Sequence, residues 1–461
     1  MTETPQIRQA VVIIHGMGEQ RPLETLKRFV DVALPGSESV LYSRRDLVSE
    51  SYESRRYLSP RNPFAGPEVH AQTEFYEYFW AHHMQGNRIG DLIPTFRRLL
   101  LRLPHRVPSG LRFLWAMFWG LLALLVWMLG WGPLSNVGWG KLLEDPWRVL
   151  FGTGLLGLVL TFLFSRLIPR WLTSSFVDVV RYLDTSPRSY EVRRLIRHGI
   201  NDLLSGLHDC GRYQRIVIVA HSLGTYIAYD AISHLWAQMN TEYPADPVGD
   251  GKPDGLDQLE DAASALPADG SPAALADRDR FADAQRALWS GIRRQGNGWL
   301  ITDSIGLGSP MYFADILYTR NRTVFEDRVE LREMLTCPPA PETGKRNNER
   351  NTRLWFSYPD DGRRVLYHGA PFTVTRWTNI WFPPRWGIFG DWFGGPVADI
   401  FGPGIADRPV PCKARWGWVP GYAHALYLKP RSNADPVIVE LHKAMDLAST
   451  EWLRTSLPSG P

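Results

Sequence analysis

The 461-residue chain contains little cysteine and no large excess of either charge. Its three cysteines, Cys210, Cys337 and Cys412, are too few and too widely spaced for a disulfide framework or a thiolate metal site. Lysine and arginine number 51 against 48 aspartates and glutamates, so the overall charge gives no argument for a nucleic-acid partner. These features predict a protein of a reducing compartment that needs no metal.

The amino terminus lacks the apolar segment of a secretory signal. It begins with the polar residues MTETPQIRQ, whereas a signal peptide carries a run of apolar residues after a basic start. We therefore expect no cleaved leader. Any membrane attachment has to come from a segment further along the chain.

Charged residues are missing from two stretches in the first half of the chain. Phe113 to Trp131 has none in nineteen residues, and a helix of that length reaches roughly 28 Å, about the thickness of a bilayer core. Val149 to Ser165 is a shorter run that is richer in glycine. Together they predict a transmembrane helical hairpin within residues 93–171, which begin with a basic flank.

The charges beside these two runs predict the orientation of the hairpin. The connecting loop has only Lys141 and Arg148, accompanied by Glu144 and Asp145, whereas arginines are frequent on the outer flanks. The positive-inside rule then predicts an inner or plasma membrane protein whose two large parts face the cytoplasm. Two alternatives remain open: a hairpin embedded in one leaflet, and an apolar lid or helix pair of a soluble protein.

The stretch RIVIVAHSLGTYIAYDAI, residues 215–232, places a serine between a buried strand and a helix. Ile216 to Val219 is β-branched and apolar, as in a central strand of a parallel sheet. The turn AHSLG matches the G-x-S-x-G nucleophile elbow except for its first residue, Ala220. Small residues such as Gly224 let strand and helix approach closely, so the pattern predicts Ser222 as a nucleophile.

A serine nucleophile needs a histidine base, which follows the serine in chains with this elbow. Four histidines come after Ser222. His234 lies on the helix that leaves the elbow, and His442 falls in a predicted terminal helix. His424 lies in a glycine-containing turn near the end of the chain and is the predicted base, with His368 as the alternative.

The acid that orients the histidine should lie between the serine and the histidine in the chain. Asp391 follows a predicted strand at 372–382 and precedes His424, so it has the expected place in the order serine, acid, histidine and lies in a loop. It is the predicted acid. The other candidates are Asp303 in a strand-like run and the pair Asp360 and Asp361 in a turn-like YPDDG.

A second glycine-rich turn follows the first predicted strand, Gln9 to Ile14. Gly16 and Gly18 there would let backbone amides approach the substrate carbonyl oxygen that becomes negative during acyl transfer. We predict the amides of Met17 and Leu223 as the two oxyanion donors. The pair His82 and His83 lacks companions at metal-ligand spacing, so no metal site is expected there.

Strand-like and helix-like segments alternate on both sides of the hairpin, which predicts an α/β sheet with the hairpin inserted. Residues 1–92 form the first part of this domain and residues 172–461 the remainder. Within the second part, 241–290 carries eleven aspartates and glutamates with many prolines, glycines and alanines. This composition predicts a surface insertion that is partly disordered.

Five stretches resemble the α/β-hydrolase superfamily, and within it the lipase-like serine esterases related to glycosylphosphatidylinositol deacylases. The resemblance implies the α/β-hydrolase fold, ester hydrolysis through an acyl-enzyme, no metal and no organic cofactor. It implies Ser222 and His424 as nucleophile and base, and the acid in the loop after the Trp-x-Asn strand, where Asp391 lies. The stretches are VVIIHGMGEQRP at 11–22, FYEYFWA at 75–81, RIVIVAHSLGTYIAYD at 215–230, IGLGSP at 305–310 and RWTNIWFPP at 376–384.

The sequence as a whole predicts a membrane-anchored serine hydrolase. Its substrate would be a lipid ester, with a protein S-acyl thioester as the next choice, and its partner the bilayer itself. The alternative is a membrane scaffold or partner-binding protein that keeps the fold without the chemistry. The oligomeric state and the length of the acyl group stay open.

Overall fold

The structure is a computed structural model of the whole chain. It describes residues 7–16, 22–33, 42–45, 48, 55–59, 71–84, 100–104, 107, 111–130, 179, 181–183, 187–242, 252–267, 273–319, 321–340, 356–360, 363–386, 389–419, 421–432, 434–448 and 451–454.

Ten strands are described, of which eight form one sheet and two a separate hairpin. The order across the sheet is β10-β9-β6-β5-β1-β4-β3-β2. Its strands are β1 (Ile7–Ile14), β2 (Tyr42–Arg45), β3 (Arg55–Ser59), β4 (Ala71–Tyr78), β5 (Arg215–His221), β6 (Ile301–Leu307), β9 (Arg376–Trp381) and β10 (Ala406–Pro409). The hairpin pairs β7 (Ser357–Asp360) with β8 (Arg363–Leu366).

Six neighbouring strands, from β10 to β4, are parallel, and only the pairings of β4 with β3 and of β3 with β2 at one edge are antiparallel. The central strands β1 and β5 are buried almost throughout, which explains their apolar sequences. Parallel strands all end at the same edge of a sheet, so the residues that follow β1, β5, β6 and β9 gather there. The prediction of a mostly parallel α/β sheet is confirmed.

The described helices flank this sheet. Their bounds are α1 (Glu24–Ala33), α2 (Arg112–Gly130), α3 (Pro187–Asp209), α4 (Gly224–Glu242), α5 (Leu256–Ser264), α6 (Leu275–Arg294), α7 (Ala314–Leu317), α8 (Arg322–Glu330), α9 (Ala398–Phe401), α10 (Pro436–Met445) and α11 (Glu451–Arg454). Short 3₁₀ turns cover 81–84, 310–313, 371–373 and 422–425.

Side chains of β1 alternate between two apolar cores, one on each face of the sheet. Val12 and Ile14 pack in the core that contains α3, α4 and α6. Val11 and Ile13 pack in the core that contains α1 and α10. Successive side chains of a strand point to opposite faces, so a strand covered on both faces is apolar at most positions, as β1 is from Ala10 to Ile14.

The prediction of a partly disordered surface insertion at 241–290 was wrong for the residues that form α5 and α6. Both helices bury apolar side chains in the main core, among them Leu259, Phe281 and Trp289. Acidic residues such as Asp257 and Asp279 lie on the exposed faces of the same helices. The apolar spacing is helical, but alanine fills many of its positions and makes the pattern weak.

The first of the two uncharged runs forms α2, and the second, 149–165, lies outside the described residues. Among the helices of the described part, none combines the length and the apolar character that crossing a membrane requires. The inserted hairpin stays a prediction, since its second run lies outside the described residues.

Candidate active site

Ser222 lies on a tight turn between β5 and α4. Its backbone φ is 53°, in the left-handed region that side chains other than glycine rarely adopt. Its amide donates a hydrogen bond to the carbonyl of Leu307, 3.0 Å away, so the neighbouring strand β6 holds the strained residue in place. This turn places the serine at the carboxyl edge of the parallel sheet, as the motif predicts.

Glycine at 224 is required by the close approach of α4 to β1. A Cβ atom at this position would lie 2.5 Å from the carbonyl oxygen of Ile14 and 2.9 Å from that of His15. Backbone atoms cannot move aside as a flexible side chain can. The helix can therefore start directly over the end of β1 only because residue 224 has no side chain.

His424 contacts the serine although 202 residues separate them. It lies on the 3₁₀ turn 422–425, which follows Gly421 at a positive φ of 69°. Its Nε2 is 2.7 Å from the Ser222 Oγ, and both side chains are at least 96 % buried. With Nε2 unprotonated, the imidazole accepts the hydrogen bond of the serine hydroxyl, which is the arrangement a general base needs.

Asp391 occupies the other side of the imidazole. The His424 Nδ1 is 3.0 Å from Oδ1 and 2.9 Å from Oδ2 of a carboxylate that is fully buried. The hydroxyl of Tyr427 donates to Oδ2 at 2.8 Å, and the amide of Phe393 donates to Oδ1 at 2.8 Å. These donors fix the carboxylate, and the carboxylate fixes His424 in the tautomer that carries its proton on Nδ1.

Asp391 stays ionised in spite of its burial. Burial by itself raises the pKa of the carboxyl group, but the interactions with His424, Gly394 and Tyr427 outweigh it and hold the pKa below its usual value. Burial and the nearby Asp391 charge raise the pKa of Tyr427 well above its usual value, so the phenol keeps the proton that it donates. The base therefore faces a permanent negative charge.

Two glycines leave room for this carboxylate. A Cβ on Gly308, which has a φ of 60°, would lie 2.9 Å from the Asp391 Oδ2 and 2.5 Å from the ring of Tyr427. A Cβ on Gly394 would lie 2.5 Å from the same oxygen. Gly308 belongs to the IGLGSP stretch, so this stretch serves the candidate site by packing against the acid.

His221 also belongs to the site, which sequence analysis did not predict. Its Nε2 donates to the backbone carbonyl of His424 at 3.0 Å, and its ring fills the space where a Cβ on Gly16 would lie. Burial, followed by repulsion from His424, lowers the pKa of His221 to about 3, so the ring is neutral. The only feature of the sequence that pointed to His221 was its position next to Ser222, and this position did not indicate its contact with the carbonyl of His424.

The predicted oxyanion donors are described only in part. Leu223 is buried at the start of α4, directly after Ser222, whereas Met17 and Gly18 lie outside the described residues. The last described residues of the first turn are His15 and Gly16, at the end of β1. Leu223 is therefore the donor whose backbone the structure places beside the serine.

His15 supports the turn that follows β1. Its Nδ1 donates to the carbonyl of Gly16 at 2.8 Å, and its Nε2 accepts the amide of Trp80 at 3.2 Å. The ring stacks on the indole of Trp80, and burial lowers the pKa of His15 to about 4. His15 is therefore a neutral, fully bonded residue that links β1 to the end of β4.

The alternative base and acids lie elsewhere. His368 is exposed on the turn after β8. Asp303 lies near the amino end of β6, where it pairs with Arg215 at 2.6 Å and with Arg376. Asp360 ends β7 in the separate hairpin, and Asp361 lies outside the described residues. The described residues contain no group of histidine, cysteine, aspartate and glutamate side chains arranged to hold a metal ion.

The three side chains form one hydrogen-bonded series from hydroxyl to imidazole to carboxylate. Such a series can move the serine proton onto the imidazole while the carboxylate stabilises the resulting positive charge. It is buried at the edge of the sheet where the parallel strands end and where loops can admit a substrate. Comparison of the chain with family models, with curated proteins and with solved structures finds no match.

Proposed function

We propose that this protein is a serine hydrolase that cleaves an acyl ester through an acyl-enzyme intermediate. The observation that carries the proposal is the hydrogen-bonded series of Ser222, His424 and Asp391, with the serine at a positive φ on a strand-to-helix turn. A structural serine has no need of this strained backbone, nor of an imidazole bonded to a buried carboxylate.

Acyl transfer would proceed in two stages on these residues. The Ser222 Oγ attacks the ester carbonyl carbon while His424 takes the hydroxyl proton, and the amides of Leu223 and Met17 bind the resulting oxyanion. His424 then passes the proton to the departing alcohol, which leaves the acyl group on Oγ. A water molecule repeats the attack, with His424 as the base again, and releases the carboxylic acid and the free serine.

A lipid ester is the substrate class that we propose, with an S-acyl thioester as the second. The chain resembles lipase-like serine esterases in five stretches, and the apolar helix α2 follows a basic flank. We propose that the uncharged runs 113–131 and 149–165 attach an α/β-hydrolase domain to the cytoplasmic side of an inner or plasma membrane. An anchored enzyme would meet lipid substrates at high local concentration.

Labelling with a fluorophosphonate probe tests the chemistry without knowledge of the substrate. The wild-type full chain in detergent should react with the probe. The variants Ser222→Ala and His424→Ala should not. Ser233→Ala is the matched control, since Ser233 lies on the same helix and bonds the carbonyl of Tyr229 instead. A folded wild type that does not react would leave a non-catalytic scaffold as the better explanation. Labelling that survives in Ser222→Ala would overturn the role proposed for Ser222.

Extraction of the membrane fraction with alkaline carbonate tests the attachment separately. A hairpin in the bilayer keeps the chain in the pellet, whereas a peripheral protein is released into the supernatant. Retention supports the proposed anchor. Release would favour the alternative in which the uncharged runs form a lid of a soluble esterase.

A further inference from the structure

Four tryptophans of the described residues have exposed side chains. The other tryptophans whose side chains are described are buried or half buried. Exposure of a large aromatic side chain to water is unfavourable, so a group of them indicates a surface that is covered in use. The exposed fractions are 84 % for Trp386, 64 % for Trp418, 48 % for Trp416 and 36 % for Trp119.

Three of these tryptophans lie on the two loops that carry the acid and the base. Trp386 is in the loop that leads from β9 to Asp391, and Trp416 and Trp418 are in the loop that leads to His424. The two loops meet at Trp392, because a Cβ on Gly421 would lie 2.7 Å from its indole ring. We call Trp386, Trp416 and Trp418, with the cations described next, the rim.

The rim is basic as well as aromatic. Arg385, Lys413 and Arg415 are exposed on the same two loops, and the Arg415 guanidinium lies 5.6 Å from the centre of the Trp416 ring. The sequence of these loops contains no acidic residue other than the buried Asp391. The charge of the rim is therefore positive and is matched by an anionic surface.

The apolar helix α2 begins beside the rim. The ring of Phe113, its second residue, lies 5.6 Å from the ring of Trp392. Trp119 is one of the exposed tryptophans, and its Nε1 donates to the carbonyl of Leu100 at 3.0 Å. The apolar helix α2 thus starts beside the two loops that carry three of the exposed tryptophans.

We propose that the rim is a docking surface for an anionic lipid bilayer. Tryptophan is the residue that favours the boundary between headgroups and acyl chains, and nearby arginine and lysine bind anionic headgroups. Docking would bring the loops of Asp391 and His424 against the lipid. The inference rests on the proposed function, since it states how a buried serine meets a lipid ester.

Photocrosslinking tests the surface without any need for catalysis. The full chain carries Trp418→p-benzoylphenylalanine or, as a control of similar exposure, Leu331→p-benzoylphenylalanine; Leu331 is 69 % exposed at the end of α8. Each is reconstituted with vesicles of phosphatidylcholine alone or with an equal amount of phosphatidylglycerol, and one lipid carries an alkyne tag. We expect position 418 to crosslink lipid several-fold more than position 331, most strongly to phosphatidylglycerol.

A charge variant completes this experiment. The triple change Arg385→Gln, Lys413→Gln and Arg415→Gln should lower the crosslinking from position 418 about tenfold in anionic vesicles and little in neutral ones. Equal crosslinking at both positions would overturn the proposal. Crosslinks to a second copy of the chain in place of lipid would overturn it too, and would assign the rim to a protein contact.

Hydrolysis adds a readout that separates the two proposals. Two substrates with the same ester group are compared: one is held in a bilayer, and the other is short and soluble in water. The measured quantity is the ratio of the hydrolysis rate on the bilayer ester to the rate on the soluble ester. Changing the three rim tryptophans to alanine should lower this ratio about tenfold, whereas Tyr190→Ala with Leu331→Ala should not. An unchanged ratio overturns the docking surface and leaves the hydrolase standing, whereas lipid crosslinking by a chain that fails to react with fluorophosphonate overturns only the hydrolase.

Discussion

The imidazole of His221 holds the backbone of His424: its Nε2 donates to the His424 carbonyl oxygen across 3.0 Å. The residue before the proposed nucleophile thus positions the residue that would act as its base. The ring is buried between Gly16 and the aromatic ring of Tyr427. Because this histidine is neutral and its Nε2 bonds a backbone carbonyl, its role is to position the His424 turn.

Removing the His221 side chain should therefore slow acyl transfer. We expect His221→Ala to lower kcat for ester hydrolysis about 10- to 100-fold, because the histidine turn loses an anchor and a small displacement of a base is costly to the rate. His221→Gln should recover part of the loss, since its amide can donate to the same carbonyl. A KM effect with kcat unchanged would show that His221 shapes the substrate pocket instead.

The buried carboxylate of Asp391 fixes the tautomer of His424. Asp391→Asn should leave the fold intact and lower kcat by about 10⁴-fold, because an amide can present its NH₂ group to Nδ1 and reverse the tautomer. Tyr427→Phe removes only one of the donors to Asp391 and should cost about 10-fold or less. Kinetics on a soluble ester with both variants separate these expectations; equal losses would contradict them.

Glu77 is a buried acid outside the triad. Its Oε2 accepts the amide of Leu23 at 2.6 Å, just before α1 begins, and the side chain is only 7 % exposed. Burial raises the pKa of Glu77 to about 7 from 4.5 in spite of this hydrogen bond. Between pH 4.5 and about pH 7, the native state therefore keeps a proton on Glu77 that the unfolded state has already released.

The free energy of unfolding should reflect this proton. The contribution of Glu77 to native stability falls as pH rises from 4.5 to 7, by up to about 1.4 kcal/mol per pH unit for one proton. In Glu77→Gln this contribution disappears, so the variant should gain stability relative to wild type as pH rises through this range. The difference between the two chains cancels the other buried groups. Denaturant unfolding at several pH values measures it, and a difference independent of pH would contradict the assignment.

Gly224 offers a test of the packing beneath the elbow. Gly224→Ala should lower the free energy of unfolding by about 2 to 3 kcal/mol, because the new Cβ meets two backbone carbonyl oxygens of β1 and β-strand backbone cannot yield. Gly211→Ala is the control, since Gly211 has a φ of 62° but open space around it, and should cost about 1 kcal/mol. Equal losses would show that backbone conformation, rather than space, limits residue 224.

Parts of the fold follow from local sequence. The apolar strands β1 and β5 could be predicted because nearly all of their side chains are buried, and the helix after the serine because its apolar residues have helical spacing. Helices α5 and α6 could not, because acidic residues on their exposed faces hide a weak apolar stripe. Strand β10 was missed because it is a short edge strand with the sequence ADRP.

Parts of the site follow from chain order. Ser222, His424 and Asp391 were predicted from the elbow motif, from the order of the three residues and from their loop settings, and the structure brings their side chains into contact. The supporting contacts of His221, Tyr427 and Gly308 were not predicted. They join residues far apart in the chain, and no local pattern indicates which distant backbone oxygen or carboxylate a side chain will meet.

The sequence by itself determined where a strained serine could stand and which strands would be buried, because apolar periodicity and glycine at a tight turn act over a few residues. Tertiary structure decided which aspartate meets the histidine and which histidine meets the serine, because parallel strands carry their ends to one edge whatever their separation in the chain. It also decided which tryptophans of these loops would be exposed, because exposure depends on how the loops pack.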